Sequence, residues 1–497
     1  MQSPRYFERS PRNGDRSFFS DHRPQLLIGG EFRDAGRAPS IPVINPCTEQ
    51  VLWEQPACDA DDVREALAHA VPAQESWAEL HGWERARILR RVAEEMRSRT
   101  QDIARALSLE IGRPVAQSAG EVGAAIEQVE WFAGEAERLF GQVIASRQGG
   151  RLLTEPEPVG ICAAFTAWNF PVNLPVRKMA PALAAGCAIL VRPSEQVPLT
   201  TTLIMQAFVA GGVPAGVVQL LLGRAQDISP VILAADEVRK ISLTGSTRVG
   251  QMMMAEAART VKRCSMELGG HAPVVVAADA DVRSVARQCA AFKFRNAGQV
   301  CIAPNRFYVE EAVADEFIDV MKHEAEALIL GDSQDEATTM GPLTLASGRD
   351  KVERLVADAM ERGARLVTGG QRPKGRNAGY FLEPTVLADV PDTCDIMSEE
   401  PFGPVAPVAT FRDLDDAIAR ANATPYGLAA YAFTGDQDKA HRLSRKLHAG
   451  MVGINTFMIA HAEAPFGGVD HSGMGREGGP DAIKDYQNTK LTHMMAG

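Results

Sequence analysis

Cysteine is scarce in this sequence: there are eight in 497 residues, and no CxxC pair occurs among them. That excludes a disulfide scaffold and leaves zinc-ribbon and thioredoxin-like readings without support. A cytoplasmic, reducing compartment is expected, and no metal site is. No apolar run reaches the roughly 18–20 residues that a membrane span needs, and long Lys/Arg runs are missing as well. The formal net charge of −11 opposes binding to nucleic-acid backbones or anionic membrane surfaces. What is present is ordinary globular composition, at a length that suits two or three domains with sizeable cores.

Residues 1–24 carry five arginines and no apolar core, so they do not read as a secretory signal. Glu8, Asp15 and Asp21 count against a mitochondrial presequence, and a poorly ordered extension is expected. Residues 61–140 place apolar side chains at three- and four-residue steps and are expected to be helical. From residue 160 short apolar runs, VGICAAFTAW, CAILVRP, VVQLLLG and VRKISLTG, alternate with helical segments. That alternation predicts βαβ units and a parallel sheet. A second alternation starts at APVVVAADAD and continues through NRFYV, so two α/β lobes are expected. RLLTEPEPVG and KLTHMMAG look like exposed strands in need of partners. Edges of this kind often pair between subunits, which predicts a homodimer or homotetramer.

Several short motifs could carry chemistry, each with a bland reading beside it. LTGSTRVG follows an apolar strand and precedes a helix, so its backbone could hold an anion, or it could be a tight turn. A literal GxGxxG at Gly473–Gly478 has no strand leading into it and is expected to be a loop. In LVRPSEQVP, Arg192 and Glu195 could bond ribose hydroxyls, or be solvated loop charges. Asn169 in FTAWNFP could donate to a developing oxyanion, or close an Asx-turn. Glu267 in MELGGHAP could be a general base with a raised pKa, or an arginine's partner. Cys301 in FRNAGQVCIAPNRF could be a core filler or a nucleophile favoured by a nearby cation. Arg295 stands six residues before it.

In register, WNFP (168–171), GST (245–247), ELGG (267–270), GQVC ending at Cys301, EEPFGP (399–404) and PFGG (465–468) resemble the aldehyde dehydrogenase superfamily. The resemblance covers essentially the whole chain from about residue 25. It implies an α/β fold of two Rossmann-like lobes with parallel sheets and a small β oligomerisation element. Residues 25–141 and 161–266, joined by 450–482, would bind NAD, and 267–449 would be the catalytic domain. Residues 142–160 and 483–497 would be oligomerisation strands. Cys301 would attack the aldehyde, Asn169 and the Cys301 backbone N–H would hold the oxyanion, and Glu267 would activate water. The cofactor set implied is Phe165, Thr166, Trp168, Arg192, Ser194, Glu195, Gly245, Ser246, Val249, Leu268, Glu400 and Phe402. Glu195 argues for NAD, with NADP disfavoured because a carboxylate would repel its extra phosphate.

FRNAGQVC, VRKMAPALAAGC and GMVGIN most resemble the branch acting on semialdehydes with a distal carboxylate, namely succinate or α-ketoglutarate semialdehyde. There Arg177 and Arg295 would grip the carboxylate, where a structural ion pair is the bland alternative. Phe170, His461 and Phe466 would complete the substrate pocket. The chain departs from the family in having Arg192 and Asp470 where lysine is usual. It also has Phe457 and Ala460 where the branch has glycine and serine. Ala303 replaces a second cysteine that some members carry, so no disulfide switch at Cys301 is expected. Three rival readings remain. Glu267 speaks against a CoA-acylating enzyme, and the two arginines against a dehydrogenase of uncharged aldehydes. The intact Cys301, Asn169 and Glu267 set opposes a non-catalytic NAD-binding homologue.

Overall fold

A computed structural model describes Phe18 and residues 21–495. The expected poorly ordered extension therefore lies largely outside the described residues. Within its described part, Phe18 is buried, stacked on His22 and capped by the Arg105 guanidinium at 4.7 Å.

The predicted helical region holds four helices: Ala60–Ala78, Gly82–Ser98, Thr100–Ile111 and Val115–Ala136. The first starts at a reciprocal cap, in which Asp59 accepts from the Asp61 and Asp62 amides while its own N–H donates to Asp62. Trp77, near the end of that helix, donates from Nε1 to the Leu183 carbonyl at 3.0 Å. That bond ties the helical layer to the helix Asn173–Ala185, which carries part of the site described below.

The first α/β lobe is built on an eight-stranded sheet. Its five central strands run parallel in the order Val218–Leu220, Ala188–Pro193, Ile161–Thr166, Val238–Thr244, Arg263–Glu267. Every residue of Ile161–Thr166 is buried, as expected where helices cover both faces of a parallel sheet. The chain leaves this strand in one direction and later returns to its other side. A topological switch point results between Ile161–Thr166 and Val238–Thr244, at the strands' carboxyl ends.

The second sheet has seven strands, with Arg306–Glu310 and Pro273–Val276 near its centre. The expectation of parallel sheets needs one correction at the edges. Leu26–Ile28 and Arg365–Thr368 run antiparallel to their neighbours. The two exposed strands find each other within the chain: Arg151–Pro158 pairs antiparallel with Gln487–Met494, and on its other side with Gln142–Ala145. This three-stranded sheet still ends in two open edges, which carry exposed Val143, Ile144, Leu491 and Met494. Among the described residues, no helix is long and apolar enough to cross a membrane.

Candidate active site

The helix Val282–Phe294 runs out into a tight turn, Arg295–Gly298, where Asn296 and Ala297 both take left-handed backbone angles near φ 50°. Such a pair of non-glycine residues costs on the order of 1–3 kcal/mol each and persists only when over-determined. Asn296 supplies the constraint. Its N–H donates to Gln117 Oε1 at 3.1 Å, and its Nδ2 to the carbonyls of Asn169 and Gln299 at 3.2 and 3.3 Å. A Cβ at Gly298 would land 2.1 Å from the Gly403 carbonyl, so only glycine fits there. The turn presents Cys301 partly buried. Gly270 lets the neighbouring segment pass, since its Cβ would meet the Cys301 carbonyl at 2.6 Å.

Burial pushes the Cys301 thiol up to about 12, with Glu400 and Glu267 adding to the effect and Arg177 opposing it. Both Arg177 and Arg295 couple in charge to the sulfur, Arg177 being the one that weighs on the thiol, and burial outweighs it. The resting thiol is neutral and must lose its proton as it attacks.

Asn169 is buried just beyond the strand Ile161–Thr166, and its Nδ2 donates to the Gln299 carbonyl at 3.1 Å. The side chain is thus held by the nucleophile turn and not by its own backbone. Glu267 closes the strand Arg263–Glu267, and both its carboxylate oxygens are buried without a hydrogen-bond partner among the described residues. The alternative of an arginine-paired glutamate is not what the structure holds. Burial first, then Glu477, keeps its carboxyl well above the usual carboxylate range; Lys178, Arg177 and Arg476 pull the other way.

Two functional candidates escaped the sequence reading. Lys178 forms a buried ion pair with Glu477 and donates to Thr244 Oγ1 at 2.7 Å. Thr244 pairs in register with Glu267 on the adjacent strand. Glu477 lies inside the GxGxxG expected to be a loop. Gly473 and Met474 instead form a short strand that pairs antiparallel with Glu267 and Met266. A Cβ on Gly473 would sit 1.8 Å from the Met266 carbonyl, so these glycines serve close approach to the sheet edge.

The cofactor candidates gather at the carboxyl ends of adjacent strands. Phe165 and Thr166 end Ile161–Thr166, and the buried Thr166 hydroxyl has no partner among the described residues. Ser246 caps the helix Thr247–Ala257 by accepting from the Val249 N–H, and the Gly245 N–H is taken by the Glu267 carbonyl. Leu268 packs where a Cβ on Gly250 would meet it at 2.6 Å. Trp168 meets the ring of Phe402 edge-on at 5.6 Å, with Phe402 itself at φ 48°. Glu400 accepts from the Gly270 N–H at 3.3 Å and is pushed up to about 7 by burial. Arg192 and Glu195 are not the solvated charges of the bland reading. They pair with each other, Arg192 also donating to the Gly223 carbonyl at 2.9 Å and Glu195 accepting from the Ala225 N–H at 3.1 Å. Ser194 bonds Gln196. A strand-order switch point, a solvent-exposed helix N-terminus and a buried threonine hydroxyl without a partner among the described residues fit a dinucleotide.

Arg177, in the helix Asn173–Ala185, is buried with its guanidinium 4.5 Å over Phe466. Arg295 lies between Phe170 at 5.7 Å and Phe292 at 5.5 Å. Neither forms an ion pair among the described residues, and burial lowers the pKa of both. The Cys301 sulfur is a charge neighbour of each. His461 is exposed, its ring on the Met458 carbonyl at 3.1 Å. Phe457 is buried among Phe292, Tyr431 and Phe433 at 4.6–5.1 Å. Asp470 pairs with His448 at 2.6 Å on the surface, which accounts locally for the residue that replaces the usual lysine.

A thiol beside a buried carboxylate that has no hydrogen-bond partner among the described residues, near a strand-order switch point, has the form of a cysteine-dependent oxidoreductase. The aldehyde dehydrogenase family model matches residues 32–492, and the chain belongs to this family. It is 41% identical over 469 residues to the succinate-semialdehyde dehydrogenase (NADP(+)) GabD of Escherichia coli K12, covering 94% of this chain and 97% of that one. It is 39% identical to a glutarate-semialdehyde dehydrogenase of Pseudomonas putida KT2440 over the same shares. It is also 40% identical to a 3-sulfolactaldehyde dehydrogenase of Pseudomonas putida, covering 94% of this chain and 96% of that one. The crystal structure of succinate-semialdehyde dehydrogenase from Burkholderia pseudomallei superposes with a TM-score of 0.93 at 40% identity, over 95% of this chain and 98% of that one.

Proposed function

We propose that this enzyme oxidises a short semialdehyde bearing a distal carboxylate, succinate semialdehyde or α-ketoglutarate semialdehyde, to the dicarboxylic acid with NAD. The observation that carries the reading is the pair of buried guanidinium groups near Cys301, Arg177 and Arg295, which form no ion pair among the described residues and feel Glu477, Glu267 and Glu121 only at longer range. Desolvating two such cations without an anion is costly, and a carboxylate in the substrate offsets that cost through charge-assisted, bidentate bonds.

The chemistry follows from the groups around the sulfur. The neutral Cys301 thiol gives up its proton to solvent as Sγ bonds to the aldehyde carbon, with Arg177 favouring the developing thiolate. Asn169 spends one N–H on the Gln299 carbonyl, which leaves its second N–H, with the Cys301 backbone N–H, for the oxyanion. The Ser246 turn, the Arg192–Glu195 pair, Glu400 and Phe402 would hold a nicotinamide nucleotide, which would accept the hydride lost when the Cys301 thiohemiacetal becomes a thioester. Glu267 then draws a proton from water, whose oxygen attacks the thioester and frees the acid and the thiol. The Lys178–Glu477 pair is a charge neighbour of Glu267, which supports its relieving Glu267 of that proton.

The preference for NAD rests on Glu195. Because Arg192 balances its charge, discrimination would come from Glu195 filling the space at the ribose and accepting from its hydroxyl, more than from net repulsion. The Escherichia coli relative carries NADP in its name, so both nucleotides belong in the test. That test is a panel of three- to six-carbon aldehydes, with and without a terminal acid, followed by reduced-cofactor absorbance. Highest kcat/KM for an acid-bearing aldehyde with NAD supports the reading; equal values with butanal count against it. The open edges of the three-stranded sheet support a homo-oligomer, which light scattering would test, a monomer in solution being the contrary result.

A further inference from the structure

Arg113 and Glu121 form an ion pair whose side chains are only 3% and 2% exposed. They lie on the turn after Thr100–Ile111 and on the first part of Val115–Ala136. Neither belongs to the nucleophile turn or the cofactor crevice, yet both reach the segment that carries Asn169. Arg113 donates its second amino group to the Asn169 carbonyl, and its guanidinium lies 4.5 Å over the Phe170 ring. Glu121 uses its other oxygen to accept from the Val172 and Asn173 N–H groups at 2.8 and 2.9 Å. One cation thus holds the carbonyl at the start of the segment 169–173, and its partner anion holds the amides at the end. Asn296, from the nucleophile turn, adds a 3.2 Å bond to the same Asn169 carbonyl.

We infer that Arg113 and Glu121 are positioning residues that set the Asn169 amide against Cys301. A buried ion pair is a poor source of net stability, because desolvation consumes most of its attraction. Its rigid fork of bonds supplies fixed geometry instead. Rotation of the Asn169 peptide would swing the side-chain amide away from the Gln299 carbonyl and from the position where an oxyanion forms. The inference rests on the oxyanion role proposed for Asn169, and the experiment separates the two.

The test is a mutant cycle on the pre-steady-state rate of reduced-cofactor formation, using Arg113→Met/Glu121→Gln, Asn169→Ala and their combination. The paired replacement leaves no unpaired buried charge, and glutamine can still accept from Val172 and Asn173. It should slow the first turnover about tenfold or more, the scale of a small misplacement in an active site, with aldehyde KM little changed. In the Asn169→Ala background the same pair should cost less than about twofold, because coupled residues are non-additive. Alkylation of Cys301 by iodoacetamide, which forms no oxyanion, should be unaffected. Arg113→Lys, which retains one of the two bonds and the charge, should recover part of the rate and serves should the paired variant misfold. Full additivity in the Asn169→Ala background, or an equal fall in alkylation, would overturn the positioning role alone. Asn169→Ala at the wild-type rate would overturn the oxyanion role and this inference with it.

Discussion

Replacing Glu267 by glutamine makes the sharpest prediction about the second half of the reaction. Both carboxylate oxygens of Glu267 are buried without partners among the described residues, so the near-isosteric change breaks no hydrogen bond. It removes only the proton acceptor. Loss of a positioned general base costs about 10²–10⁴-fold, or about 3 to 5 kcal/mol of barrier, and that loss should fall on thioester hydrolysis. Stopped-flow absorbance should then show a burst of about one reduced cofactor per site, followed by a slow steady state. The same variant makes a prediction about stability. The Glu267 carboxyl is raised well above its unfolded value, so its neutral form stabilises the fold at low pH. That contribution is lost as pH rises from about 4.3 towards the raised folded pKa. Glutamine has no such penalty, so the variant's Tm should gain on the wild type with increasing pH. Absence of a burst, with acylation slowed in proportion to turnover, would refute the assignment of Glu267 to hydrolysis. A Tm difference that shrinks with pH would refute the burial argument.

Arg295→Met should lower kcat/KM for succinate semialdehyde about 10- to 150-fold, the worth of a charge-assisted bond at about 1.5–3 kcal/mol, and leave butanal almost unchanged. Arg177→Met should reduce both, the acid more, because Arg177 also favours the Cys301 thiolate. Equal losses on the two aldehydes for Arg295→Met would mean that it serves the fold. In cofactor-free enzyme, iodoacetamide alkylation of Cys301 should climb about tenfold per pH unit up to pH 9 without a plateau, and Arg177→Met should slow it. A plateau near neutral pH would contradict the raised thiol pKa. Glu195→Gln should raise the NADP/NAD ratio of kcat/KM about tenfold or more by releasing Arg192 towards a phosphate. An unchanged ratio would exclude Glu195 as the discriminator.

Much of this site was legible because its residues sit in contiguous motifs. WNFP, ELGG and GQVC each carry a candidate group next to the glycine, proline or aromatic residue that shapes its loop. The α/β alternation likewise follows from apolar runs with a clear period, as in ICAAFT, all of it buried. What escaped depends on contacts between distant positions. Lys178 and Glu477 are 299 residues apart, and the two-residue strand Gly473–Met474 that delivers Glu477 is too short to show a period. Residues Arg151–Pro158 and Gln487–Met494 read as strands, but nothing local says that they pair with each other. The mutual pairing of Arg192 and Glu195 depends on rotamers, and so does the buried solitude of Arg177. His461 illustrates the converse: a polar residue beside a departure from the family pattern invites a role, yet its ring is engaged at the surface.

The central claim is that the aldehyde carbon becomes bonded to Cys301. The most direct measurement is peptide mass spectrometry of Glu267→Gln enzyme, quenched at the end of the burst with succinate semialdehyde and NAD. The account predicts a succinyl group on the peptide containing Cys301, and none on enzyme treated without NAD. An acyl group on any other residue, or a full burst with Cys301 unmodified, would contradict it.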